Sequence, residues 1–213
     1  MSSLIFYTDA EQALVVTDTL AVSTDGEPMF FSSKALYLPH LRTIIAGTGL
    51  AGFASAWFNM VNSSMLVKGI EGLNKHTPEA LRKGWQEYEQ HPGFVARLTS
   101  TVYHFGFSED TGEMTSFAYR STNNFESERL GYGTGVKPEC SILEGNLFEN
   151  VRAMMDEQRA IQSKLPQHER LHIGGSAYAL HLTGAGCSTS ELFEFEDAKV
   201  QTAQAFAAFE AGR

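Results

Sequence analysis

The order of elements along the chain predicts an α+β fold, and three observations carry that prediction. Short β-rich runs cluster near the N-terminus, at residues 4–7 and 13–17. A helical period of 3.6 residues begins only after Gly47-Thr48-Gly49. Strands and helices then come in groups rather than in regular alternation, which argues against a doubly wound α/β sheet. A four-layer αββα sandwich, two antiparallel sheets between helical layers, accommodates this order. The 213 residues suit one domain spanning 1–213.

The elements follow in order. The first two runs flank the polar Asp9–Gln12, as in a hairpin. A turn at Asp25-Gly26-Glu27-Pro28 leads to strand-like residues 29–38 and 43–46. Leu50, Phe53, Ala54, Trp57, Met60 and Val61 then share one helical face. Leu66, Ile70 and Leu73 mark a second helical stretch. Thr77-Pro78-Glu79 reads as a fresh helix start, with Thr77 as N-cap and Leu81, Trp85 and Tyr88 on the buried face. Residues 98–107 and 113–120 are strands around the turn at residues 109–112. Leu147, Val151, Met154 and Met155 mark a later helix that stops before Pro166. Strands recur at 176–183 and 191–195, and a last helix carries Val200, Ala203, Phe206 and Ala207. Trp57 and Trp85 read as packing residues rather than stacking platforms.

Composition narrows the function. Hydrophobic residues make up 43% and charged residues 19%, enough to bury a core. A net charge of -9 with scattered Lys and Arg argues against a nucleic-acid partner. The two cysteines, Cys140 and Cys187, form neither a metal motif nor a disulfide framework and imply free thiols. No apolar run approaches the ~18 residues of a membrane span, and the N-terminus lacks a basic leader. A cytoplasmic protein is expected, with neither membrane nor nucleic acid as partner and with no cofactor.

Ser2 follows the initiator Met1, which aminopeptidases remove before small residues. A terminal Ser carries its own base, because its α-amine lies beside its hydroxyl. The reference pKa of that amine, ~7.7–8.0, is already near working pH, and a nearby cation lowers it further. Asp18, ending the second strand, and Lys34, in the third, are placed to supply such a cation. Thr48, between two glycines before a helix, offers a backbone N–H to an oxyanion.

On these residues the chain resembles proteasome β-subunit-like N-terminal-nucleophile hydrolases of the bacterial homologue type. The intervals between Ser2, Asp18 and Lys34 fit the family without a gap, and residues 2–55 look like the start of a mature β subunit. Gly131-Tyr132-Gly133-Thr134-Gly135 is similar to a later Gly-rich turn, which implies a supporting role for Thr134. The resemblance further implies a peptide or amide substrate lying extended against Val22 and the Thr48–Leu50 segment. Its pocket would be lined by Ala21, Ala46 and Leu50. A homo-oligomeric ring is implied, and with it the question of an ATPase partner. There are departures. The nucleophile would be Ser rather than Thr, and Thr19-Leu20 replaces an Arg after the strand-ending Asp. Before Gly174-Gly175, Arg170 and Ile173 stand where the family has Asp and Ser, with Glu169 as a substitute acid.

Two other readings compete. The same fold serves as a non-catalytic structural or assembly subunit if Met1 is retained. His168-Glu169-Arg170-Leu171-His172 fits H-E-x-x-H, which on a helix makes a zinc hydrolase. Pro166 and the paired glycines leave that helix little room, so no zinc site is expected.

Overall fold

The computed structural model describes residues 3–90 and 98–212. Over these residues it is α+β, with three antiparallel sheets and four α-helices. Strands β1 (Leu4–Thr8) and β2 (Gln12–Asp18) form the expected hairpin. Asp9 fixes its turn by accepting the Glu11 and Gln12 amides at 2.9 and 3.1 Å, an Asx turn. A two-stranded ribbon follows, β3 (Leu20–Val22) and β4 (Pro28–Phe31). The strand-like run 29–38 is therefore split: β4 ends at Phe31 and β5 (Ala35–Leu38) belongs to another sheet.

That sheet is a meander of β5, β6 (Thr43–Gly49), β7 (Ser100–Phe107), β8 (Met114–Arg120) and β9 (Ser127–Leu130). The other five-stranded sheet has the order β10-β1-β2-β11-β12, with β10 Gly133–Lys137, β11 Ser176–Thr183 and β12 Gly186–Glu194. Sequence reasoning missed β3, β9 and β10, and began β12 at residue 191 rather than at Gly186. β10 is short, three of its five residues are glycine or lysine, and only pairing with β1 makes it a strand.

Three apolar clusters locate the core. One joins Leu4, Phe6 and Val15 of the first sheet to Ile44, Tyr103 and Phe105 of the meander, so the two sheets face each other. A second sets the meander against α1 (Phe53–Ser64) and α2 (Ile70–Glu89). A third sets Ile5, Leu14 and Val16 against α3 (Leu147–Ser163). Alternation along each strand sends neighbouring side chains to different clusters.

Helix details differ from expectation. Residues 70–89 form one helix through Pro78, and Thr77 is buried within it, its hydroxyl donating to the Leu73 carbonyl at 2.8 Å. The N-terminus of α2 is instead capped from afar, by Glu109 accepting the Glu71 and Gly72 amides. Met60 and Leu66 are exposed. Helix α4 (Ala198–Glu210) buries Ala198, Gln201 and Ala205 and packs on β4, leaving Val200 and Phe206 outside. Its polar inward residue, Gln201, accepts the Gly175 amide at 2.8 Å.

Candidate functional site

The site lies where β1 begins and β2 ends. Asp18 is fully buried, and three donors converge on it. The Ser3 amide reaches Oδ1 at 2.8 Å, the Lys34 ammonium reaches the same oxygen at 2.8 Å, and the Gly174 amide reaches Oδ2 at 3.1 Å. The hairpin places Ser3 and Asp18 at the same end of neighbouring strands, with Leu4 opposite Thr17. Lys34 also donates to the Leu20 carbonyl at 2.6 Å. Burial pushes the Lys34 amine below its ordinary value, while Asp18 works in the opposite direction. A buried carboxylate needs this degree of satisfaction, because an unpaired one costs several kcal/mol, on the order of 3–5 when a partner is removed.

Ser2, the candidate nucleophile, lies outside the described residues. Ser3 is anchored on both sides: its amide is on Asp18, and its hydroxyl donates to Gln158, a fully buried residue of α3 that in turn donates to the Pro138 carbonyl. Gln158 was legible in principle. It falls on the same helical face as Val151, Met154 and Met155, a polar residue at a core position.

The Gly47–Gly49 segment lies in β6 and bounds a small cavity of about 40 Å³ shared with Ala21, Lys34, Ile45 and Leu50. Two hydrogen bonds set the direction of its amides. Gly47 donates to the Lys34 carbonyl on the β5 side, and Leu50 donates to the Thr99 carbonyl on the β7 side. Amides alternate along an antiparallel strand, so the Thr48 N–H points to β7 and is taken up by the ladder. The oxyanion donor assigned to Thr48 is corrected accordingly. The Gly49 amide points to the β5 side, beyond the start of that strand and towards the cavity. Gly49 holds φ +103, and a Cβ on Gly47 would collide with Ala54 of α1, so the turn requires both glycines.

Other expected residues are distributed unevenly. Ala21 and Leu50 line the small cavity, and Val22 and Leu50 line an adjoining one of about 380 Å³. Ala46 does not line either: it is buried in the inter-sheet core, and its neighbour Ile45 takes the place at the cavity. Thr134 stands opposite Tyr7, three residues along β10 from the Lys137–Leu4 pair, roughly 10 Å farther down the strand. The structure therefore does not bring Thr134 to Asp18. Glu169 is exposed and pairs with His168 at 3.3 Å, and Ile173 is buried in the cluster under α3. The Gly174-Gly175 corner is held instead by Asp18, Gln201 and Thr19, whose hydroxyl accepts the Ser176 amide at 2.9 Å.

The zinc motif is not helical. Gln167–Glu169 form one 3-10 turn, and the chain is extended at Arg170. The one-face spacing that H-E-x-x-H needs is thus not formed. The His172 ring packs on Gly26, where a Cβ would come within 2.6 Å of Nε2, and burial lowers its pKa. Among the described residues no group of three or more His, Cys, Asp or Glu is placed to hold a metal ion. No described helix is long and apolar enough to cross a membrane.

No family model matches the chain, and no curated protein matches it. The resemblance read from residues 2–55 is corrected on that finding: it does not extend to membership of the proteasome β-subunit family. Among solved structures, an Anbu Gly-1 mutant from Hyphomicrobium sp. strain MC1 superposes with a TM-score of 0.60 at 10% identity. The match covers 99% of this chain and 96% of that one. Anbu is a bacterial proteasome-like N-terminal-nucleophile hydrolase homologue, and at this identity the likeness is one of fold.

Proposed function

We propose that this chain is an amide-bond hydrolase, a peptidase in the first instance, whose nucleophile is Ser2 once Met1 has been removed. One observation carries the reading: a fully buried aspartate gathers the Ser3 amide and a lysine ammonium one residue from the candidate nucleophile. The reading requires Ser2 to share the inter-sheet face with Leu4. Its α-amine takes the hydroxyl proton as Oγ attacks the substrate carbonyl. The Gly49 amide stabilises the oxyanion, and the protonated amine returns its proton to the leaving amine. Water, deprotonated by the same amine, then releases the acyl group from Ser2. Lys34 and Asp18 hold the strand ends in register for these steps. Substrate lies extended against Val22 and the Gly49–Leu50 segment, with a small apolar side chain in the cavity beside Ala21, Ile45 and Leu50.

The same reading includes a four-layer arrangement, supported by the three successive apolar clusters. It includes a homo-oligomer, supported by exposed Met29, Phe30, Phe206 and Phe209. The test is hydrolysis of a panel of short fluorogenic peptides. Small apolar residues before the cleaved bond are expected to be preferred, and Ser2→Ala is expected to abolish turnover. Turnover that survives Ser2→Ala would refute the assignment. The contrary reading, a non-catalytic subunit, draws on Glu169, which is exposed and paired with His168, and on Ile173, an apolar residue buried in the cluster under α3. Intact Met1 in the purified protein would favour it.

A further inference from the structure

Lys34 is the cation that the sequence offers to Ser2, yet its charge is already matched. It sits 2.8 Å from the Asp18 carboxylate, both side chains are almost wholly buried, and the pair is neutral as a unit. A second ammonium occupies the same end of the space between the sheets. Lys137 ends β10 and stands opposite Leu4, whose side chain faces the inter-sheet core. Directly opposed residues share a face, and the Lys137 ammonium does cross to the other sheet, where it donates to the Thr101 hydroxyl at 2.7 Å. Thr101 is in turn opposite Thr48. The Thr48 hydroxyl is buried, has no hydrogen-bond partner among the described residues, and belongs to the residue that borders the cavity with Lys34.

The charges around Lys137 leave it uncompensated. Arg120 of β8, opposite Thr101, is paired with Glu128 of β9 at 3.0 Å. Tyr103 of β7 lies under the Arg120 guanidinium. Asp18 of β2 is taken by Lys34, and among the described residues no carboxylate lies within ion-pair distance of Lys137. Burial, together with Arg120, pushes the Lys137 amine down to about 8. It is still mostly charged at neutral pH, and it is held by a neutral hydroxyl rather than an acid.

We propose that Lys137 is a positioning residue of the Ser2 site, whose unmatched positive charge keeps the α-amine of the processed chain neutral and able to act as base. This rests on the reading of Ser2 as nucleophile. Lys137 touches no reacting atom in the scheme. It acts through the field at the start of β1, and its charge supplies what the neutral Asp18–Lys34 pair does not.

The experiment follows the rate of acylation of Ser2 by an electrophile between pH 6 and 9, in the wild type, Lys137→Met and Lys137→Arg, with thermal unfolding as a check on folding. Lys137→Met is expected to slow labelling about threefold to tenfold near pH 6.5 and little at pH 9, since losing the cation lets the amine bind its proton more tightly. Lys137→Arg is expected to restore the low-pH rate in part. A second readout needs no activity. In a Ser2→Ala background, the α-amine, reductively methylated with labelled formaldehyde and titrated by NMR, is expected to shift upward by about half to one unit when Lys137→Met is added. If wild-type Ser2 labels but Lys137→Met leaves both the pH profile and the amine titration unchanged, the role of Lys137 is overturned while Ser2 stands. If wild-type Ser2 does not label at any pH, both fall.

Discussion

At the scale of single residues, buried polar groups separate into those that are matched and those that are not. Asp18 is matched by three donors. Asp18→Ala is therefore expected to destabilise by about 3–5 kcal/mol, since Lys34 is left buried without its partner. Lys34→Met, which leaves Asp18 two amide donors, is expected to cost less. Urea unfolding of both variants checks the order, and equal losses would contradict it. His104 is the opposite case. It is fully buried on β7, its Nε2 accepts the Trp57 indole N–H at 2.8 Å, and its Nδ1 has no partner among the described residues. Burial depresses its pKa to about 3. The unfolded chain binds a proton near pH 6.5 and the folded chain does not, so stability is complete above that value and falls as pH drops towards 3. Between pH 7 and pH 5 the loss from this group is expected to be about 2 kcal/mol. Unfolding at the two pH values, in wild type and in His104→Gln, measures it. An equal pH dependence in the two proteins would remove His104 as the cause.

At the scale of elements, α2 carries a proline in its interior. Pro78 donates no amide to the preceding turn, yet the helix continues, with Thr77 bonded back to Leu73. Pro78→Ala is expected to raise stability by about 1–3 kcal/mol, less than the full helix-interior penalty because proline also restricts the unfolded chain. A lower melting temperature in that variant would show that Pro78 is needed for packing. The same helix marks the limit of sequence reading. Thr-Pro-Glu is a helix-start signal, and only tertiary burial of Leu73, Thr77 and Leu81 on one face carries the helix through it. The β1–β2 hairpin and the strands around residues 109–112 were legible as β-rich runs on either side of polar turns. Strands β9 and β10 were not, because their residues acquire strand character only from a neighbour. The Asp18–Lys34 pair was legible as spacing. Lys137 was not, since it reaches its place across two sheets, whereas Gln158 was marked only as a polar residue on the apolar face of α3, with nothing in its spacing to show that it meets Ser3. The exchange of Thr48 for Gly49, and of Ala46 for Ile45, follows from a single step of strand register that residue spacing does not record.

At the scale of the whole molecule, a fold shared at 10% identity with the Anbu variant shows how little of the architecture depends on particular residues. The surface of this chain carries exposed aromatic residues. Phe206 and Phe209 on α4 are 64% and 79% exposed, and Phe209 lines a groove with half-exposed Met29 and Phe30 of β4. An apolar surface of this kind is expected to be covered by a second copy. Sedimentation of the wild type is expected to show an oligomer, and Phe206→Glu with Phe209→Glu to shift it to a smaller species. A wild-type monomer at micromolar concentration would contradict this. The central claim concerns the other end of the chain, and intact mass spectrometry of the purified protein, before and after treatment with an electrophile that acylates N-terminal hydroxyl nucleophiles, tests it most directly. The account predicts a chain lacking Met1 that gains one acyl group on Ser2, and no gain in Ser2→Ala; retained Met1, or an adduct that persists in Ser2→Ala, would contradict it.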